Sequence, residues 1–431
     1  MATSERLTAA VGRADITPPI GIDLIGFAGR GPSTGMHDPL AATALALGCG
    51  ESKAAIVACD LIDLEEEQVD EIAALIHQRC GMSPTNVLFC CSHTHYGPRI
   101  ADEPEDCAAY RKHLTYVLAG LVAEAAGRTV PVRVGVGKGN CDVNINRRER
   151  QPDGTIRLGR NPEGFTDRDV IVARIEADAG RPLAALVNYA CHGVCLSGQW
   201  RLISSDFPGP MRGVVESAVG ATALYLQGAT GNMNPKLMAN EYRSARSTGV
   251  KLAGEALKVW ESIVPEEATG LAAASLQVEL PALRFLSKEK AAGLLERDRK
   301  ELEQRKKEGA IPNLIRWIER RIEREEAAVR SWETGEPPPG IPDRIHAIRF
   351  GPAAVVSSAG EIFAQIGVEV KRRSPIPNTL FAGYTNGDIG YIPVPEAYEE
   401  GGYEVTHACR VDPGAASILI DGCLRALERV K

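Results

Sequence analysis

Two histidines one residue apart close an apolar run, Val87-Leu88-Phe89-Cys90-Cys91, in the text Ser92-His93-Thr94-His95-Tyr96-Gly97-Pro98. Alternate residues of a strand point to one face about 6.6 Å apart, so His93 and His95 can meet a single site before Gly97-Pro98 turns the chain away. A pair of hydrogen-bonded surface histidines is the plain alternative. His192, another of the eight histidines, follows a second apolar run, Leu183 to Cys191, and precedes Gly193. The third repetition is acidic, with Val355-Val356-Ser357-Ser358-Ala359-Gly360 leading into Glu361 at a strand end and the start of a helix. A carboxylate capping a helix N-terminus accounts for a lone glutamate equally well. Taken together, two imidazoles and a carboxylate are the protein ligands of many catalytic zinc sites, where an open position holds a water that ionises near pH ~7.

Such residues need a frame that gathers strand ends, and the rest of the chain has the pattern of one. Short β-branched runs alternate with amphipathic stretches, which predicts an α/β protein, a mixed sheet with helices packed on its faces. Strands are expected at Ala54 to Leu61, Asn86 to Cys91, Val132 to Gly137, Val170 to Glu176, Leu183 to Cys191, Ala223 to Leu226, Leu271 to Leu280, Ile345 to Ser358 (two strands around Gly351-Pro352) and Thr379 to Tyr384. In Glu65 to Cys80, the residues Val69, Ile72, Ala73 and Ile76 recur at helical spacing. Ligands of open α/β sheets gather at the carboxyl ends of strands, where both histidine texts and Glu361 stand.

From Ser287 to Glu333 the text turns to Lys, Arg and Glu, broken at Gly309-Ala310-Ile311-Pro312. It reads as a charged helical hairpin inserted at 287–333 into a single domain spanning 1–431. A solvated helix pair is the preferred reading over a lid or an oligomer contact marked by Trp317 and Trp332. The 49 basic and 56 acidic residues of the 431, with a formal charge of -7, argue against nucleic acid as the ligand. No run approaches the roughly 18 apolar residues of a spanning helix. No leader pattern opens the chain, so a cytoplasmic location is expected. The eleven cysteines are scattered and include no CxxC, which predicts reduced, buried thiols.

Ordered blocks carry a family resemblance. Val11-Gly12-Arg13-Ala14-Asp15-Ile16-Thr17-Pro18, Gly35-Met36-His37-Asp38, the His93/His95 text, Asn144-Ile145-Asn146-Arg147-Arg148, Asn188-Tyr189-Ala190-Cys191-His192-Gly193 and Ile203-Ser204-Ser205-Asp206-Phe207-Pro208-Gly209 come first. They continue through Gly360-Glu361-Ile362-Phe363, Gly390-Tyr391-Ile392-Pro393-Val394-Pro395-Glu396-Ala397-Tyr398 and Tyr403-Glu404. In this order they resemble the neutral/alkaline non-lysosomal ceramidase family, zinc amidases that cleave the N-acyl bond of ceramide. The resemblance implies Zn2+ held by His93, His192, Glu361 and Tyr391, with His95, Arg147 and Tyr403 on the substrate side. Tyr391 comes from the resemblance alone. Asp206 is a secondary candidate for orienting a ligand histidine, and His37 is read as structural.

The chain also departs from the family. Where the family has a Gly-Asp-x-Ser-Pro-Asn block with a catalytic serine, this sequence reads Gly231-Asn232-Met233-Asn234-Pro235-Lys236. Asn234 cannot form an acyl-enzyme, but its amide can donate to an oxyanion, and a metal-activated water needs no side-chain nucleophile. Tyr96 replaces a family serine and is expected to narrow the pocket. The family's C-terminal β-sandwich is not represented, which weakens ceramide itself as the substrate. The resulting expectation is a zinc-dependent hydrolase cleaving a carbon-nitrogen amide bond of a small N-acyl compound. A zinc esterase or lactonase and an inactive binding homologue are the alternatives.

Overall fold

The computed structural model describes residues 5–431. Two sheets pack face to face, and helices cover their outer faces. The larger is a nine-stranded mixed sheet whose main path runs Thr222–Gln227, Arg181–Tyr189, Asp169–Ala177, Val130–Asn140, Thr8–Asp15, Ala41–Cys49, Ser52–Cys59, Val87–Cys91. The smaller has four strands, in the order Leu271–Leu280, Ile341–Phe350, Ala353–Ser357, Asn378–Ala382.

Period-two alternation builds these layers. Along Ser52–Cys59, Ala55, Val57 and Cys59 face the helices Glu66–Cys80 and Glu105–Ala126, while Ala54, Ile56 and Ala58 face the second sheet. Leu186 and Leu224 of the large sheet meet Ile348, Val355 and Leu380 of the small one in a shared core. Ala354 and Val356 turn outward to the helices Ala364–Arg373 and Ala415–Val430. The α/β expectation holds, with the helices confined to one face of each sheet because the other faces cover each other. Glu66–Cys80 is helical as its spacing predicts and buries Val69, Ile72, Ala73 and Ile76.

The strands at the two ends of the large sheet's path come close together. The segment after Asn378–Ala382 joins them: the Cys91 N–H donates to the Tyr384 carbonyl at 3.1 Å, and the Gly383 N–H to the Gln227 carbonyl at 3.1 Å. His93, past one edge, is thereby brought to His192, past the strand beside the other edge.

The charged text forms two helices, Lys288–Lys307 and Pro312–Thr334, the second ending on Gly335 with φ 78°. The inner face of the second is not solvated. The Arg324 guanidinium donates to the carbonyls of Thr406, His407 and Cys409 at 2.8–3.1 Å. Trp317 stacks on His407 with ring centroids 6.0 Å apart. At the helix start, the Asn313 side chain meets Arg99 and Asp23. All eleven cysteines are free. Among the described residues, no helix is long and apolar enough to cross a membrane.

Candidate metal centre

His93 follows the strand Val87–Cys91 on a left-handed backbone, φ 59°, which ends the strand and turns the ring inward. Thr94 bridges Gly193, and a Cβ at Gly193 would lie 2.5 Å from the His93 carbonyl oxygen, so only glycine lets the two histidine loops approach this closely. Gln227, buried at the end of Thr222–Gln227, holds both loops: its Nε2 donates to the carbonyls of Ser92 at 2.9 Å and Cys191 at 2.8 Å, one residue before each histidine. On the other side, Glu361 and Tyr391 pair in a short parallel ladder.

Four of the sequence-derived candidates converge. The Nε2 atoms of His93 and His192 are 3.1 Å apart, and the Glu361 Oε2 lies 3.4 Å from the first and 3.6 Å from the second. Arg147 Nη2 donates to the Tyr391 hydroxyl at 2.8 Å. His93 Nδ1 faces the Ile62 carbonyl at 2.9 Å, which requires its proton there and leaves Nε2 a bare acceptor. His192 Nδ1 faces the Thr230 carbonyl at 3.3 Å and Arg147 Nη1 at 3.4 Å; with its proton toward the carbonyl, its Nε2 is bare as well. With both rings neutral, two lone pairs and a carboxylate oxygen then face one another. A cation relieves that repulsion, so the donor set fits a metal. Backbone carbonyls, rather than a carboxylate, orient both rings.

His95 completes a second grouping. Ligand atoms of His93, His95 and His192 lie within 4.8 Å of one another, so the three imidazoles can hold a metal. His95 Nδ1 faces the Gly26 carbonyl at 2.9 Å, and its Nε2 is buried without a partner. Burial, then His93, Arg30 and Arg147, hold the His95 pKa well below the usual imidazole range. Burial, followed by Arg147, His93 and His95, does the same for His192. For Glu361, burial pushes upward, but His93 and Arg147 outweigh it and leave the carboxyl below its ordinary value.

The remaining candidates stand around this core. Arg147 is buried, with its Nε donating to Glu404 at 2.8 Å and its Nη2 to Tyr391, so these donors are held rather than turned to open space. Tyr403 packs edge-on against Tyr391 at 6.0 Å, and burial, then Glu361, raises its phenol to about 12. Asn234 lies opposite Ile145, its Nδ2 3.6 Å from Met238 Sδ and its Oδ1 buried without a partner. Asp206 does not touch a histidine: it accepts from the Cys195 N–H at 2.8 Å and the Phe207 N–H at 2.5 Å, tying loops instead. Tyr96 is wholly buried with its hydroxyl on the Leu196 carbonyl, so it fills the core rather than narrowing a pocket. His37 stacks on Tyr242 at 3.5 Å, apart from the cluster.

Sequence reasoning missed Gln227, Tyr384 and Thr230. The Tyr384 ring lies 4.0 Å from that of His93, and its hydroxyl reaches Glu361 Oε2 at 3.4 Å and Thr230 Oγ1 at 2.5 Å. Gln227 ends one strand and Tyr384 lies two residues past another, positions that carry no signal for a lone polar residue.

No family model matches the chain, and no curated protein does. Solved structures do: a neutral ceramidase from Pseudomonas aeruginosa is 19% identical, with 99% of this chain and 75% of that one covered at a TM-score of 0.74. A ceramidase complexed with C2 is 18% identical, with 99% and 76% covered at a TM-score of 0.75. The architecture is therefore that of a ceramidase-type α/β protein. The likeness to neutral ceramidase runs almost the whole length of the chain.

Proposed function

We propose that this protein is a metal-dependent amidohydrolase, with His93, His192, Glu361 and Tyr391 holding one Zn2+, that cleaves the amide bond of a small N-acyl compound. The observation that carries the reading is the convergence of His93 Nε2, His192 Nε2 and Glu361 Oε2 within 3.1–3.6 Å. The fold shared with two ceramidases supports amide cleavage. A divalent cation bound there supplies Lewis-acid polarisation of the acyl carbonyl and acidifies a water.

The chain's own residues supply the rest. His95 Nε2, bare and buried, accepts a proton from the attacking water and returns it to the leaving nitrogen. Arg147, anchored by Glu404, fixes the Tyr391 hydroxyl and keeps positive charge beside the developing oxyanion. Tyr403, kept protonated by burial, is a donor available to the same oxygen. Asn234 offers an amide N–H in place of a nucleophile, so no acyl-enzyme forms.

A panel of N-acyl amines with matched esters, assayed before and after chelation and after Zn2+ is restored, tests this. Amide turnover that disappears with the metal and returns with it is expected. Ester turnover alone, faster by orders of magnitude and with no amide product, replaces the amidase with an esterase or lactonase.

A further inference from the structure

Tyr384 stands on a backbone that favours glycine. It lies two residues past the strand Asn378–Ala382, with φ 55°, in the left-handed region. A bulky residue there is strained, and it persists only where its surroundings over-determine it. Its contacts do so. The Tyr384 carbonyl accepts from the Cys91 N–H at 3.1 Å, two residues before His93, and its N–H donates to the Gly360 carbonyl at 3.4 Å, one residue before Glu361. Its buried ring lies 4.0 Å from that of His93 and edge-on to that of His192 at 6.2 Å. Backbone, ring and hydroxyl of one residue therefore border three of the four proposed ligands.

The hydroxyl adds a connection between two of them. It lies 2.5 Å from Thr230 Oγ1 and 3.4 Å from Glu361 Oε2, and Thr230 Oγ1 lies 3.4 Å from His192 Nδ1. A carboxylate only accepts, so the Tyr384 proton is directed to Glu361. The Tyr384 oxygen then accepts from the Thr230 hydroxyl, whose own oxygen is left to accept from His192 Nδ1. All the protons run one way, from His192 to Glu361. The Thr230 carbonyl, 3.3 Å from the same Nδ1, draws the imidazole proton to that side too. His192 Nε2 is thereby bare where it faces Glu361 Oε2 at 3.6 Å. The middle contact is short and the two outer ones are long, so the hydroxyl pair is one unit set between the two ligands.

Resting on the metal-centre reading, we infer that Tyr384 and Thr230 are positioning residues: their paired hydroxyls form a strut between His192 and Glu361 that fixes the imidazole tautomer and the carboxylate orientation a cation needs. Neither residue is itself a ligand in this arrangement. The strained backbone of Tyr384 is the cost of placing its hydroxyl there.

Zn2+ alone is the probe, with its affinity for the 431-residue chain measured by competition with a chromophoric chelator. Affinity should fall about 10–100-fold in Y384F, which keeps the ring on His93, and similarly in T230V, which keeps the Thr230 carbonyl. Y384F/T230V should bind no more weakly than the weaker single variant, because the two hydroxyls act as one unit. T230S, which retains the hydroxyl, should bind as the wild type does. T379V removes a buried hydroxyl that donates to the Ile376 carbonyl at 2.8 Å, near the far end of the strand leading to Tyr384, and should leave affinity unchanged. Wild-type affinity in Y384F and T230V, additive losses in the double variant, weak binding by T230S, or an equal loss in T379V overturns the strut and leaves the centre standing. Absence of Zn2+ binding by the wild type overturns the metal reading and the strut with it.

Discussion

Gln227 is the side chain on which both histidine loops lean. Replacing it with leucine keeps the volume but removes the amide that spans the carbonyls of Ser92 and Cys191. We expect Q227L to fold and to bind Zn2+ about 10–100-fold more weakly in competition with a chelator, the scale of other outer-shell losses. Unchanged affinity would mean that the backbone alone sets the distance between His93 and His192. Asp206 gives a pH signature independent of the metal. Burial raises its carboxyl to about 7, against the Cys195 and Phe207 donors that lower it. Between the ordinary carboxyl value of 3.8 and about 7, the folded chain therefore holds a proton that the unfolded chain has released, so stability falls as pH rises. The slope is at most about 1.4 kcal/mol per unit for one proton. In urea titrations from pH 4 to 8, the stability of the wild type relative to D206N should decline up to about pH 7 and then level off. A difference that does not move with pH contradicts the assignment.

At the scale of elements, the helix Pro312–Thr334 links the insertion to the centre through rings: Trp317 on His407, His407 on Tyr403 at 5.5 Å, and Tyr403 against Tyr391. W317A should lower kcat/KM about tenfold while metal content stays at one per chain, as expected of a contact that places Tyr403 rather than the cation. Activity equal to wild type would make the stack incidental. The helices of this insertion were readable from charge pattern and the Gly309–Pro312 break. The contacts of its inner face were not, because Arg324 and Trp317 look like any solvated helical residues until their partners, some eighty residues onward, are known. Strands with β-branched runs were readable too, whereas Ala41–Cys49 was concealed by its alanines, which favour helix in isolation and are strands here because they are buried. His93, His192 and Glu361 announced themselves by standing just after apolar runs. Tyr391 had no local signal and was reached only through family resemblance. Gln227 and Tyr384 were silent because a lone polar residue at a strand end acquires meaning only when the sheet's edges meet.

For the molecule as a whole, the face-to-face packing of two sheets explains why residues spread from His93 to Tyr391 form one centre. The edges of the large sheet approach each other, the segment Gly383–Thr385 from the small sheet joins them, and Glu361 and Tyr391 come from that same sheet's loops. The most direct test is anomalous diffraction across the zinc edge on crystals of the protein loaded with Zn2+. The account predicts a single peak bounded by His93 Nε2, His192 Nε2, Glu361 and the Tyr391 hydroxyl, and no peak in H93A/H192A. A peak elsewhere, or none in the wild type, would contradict it.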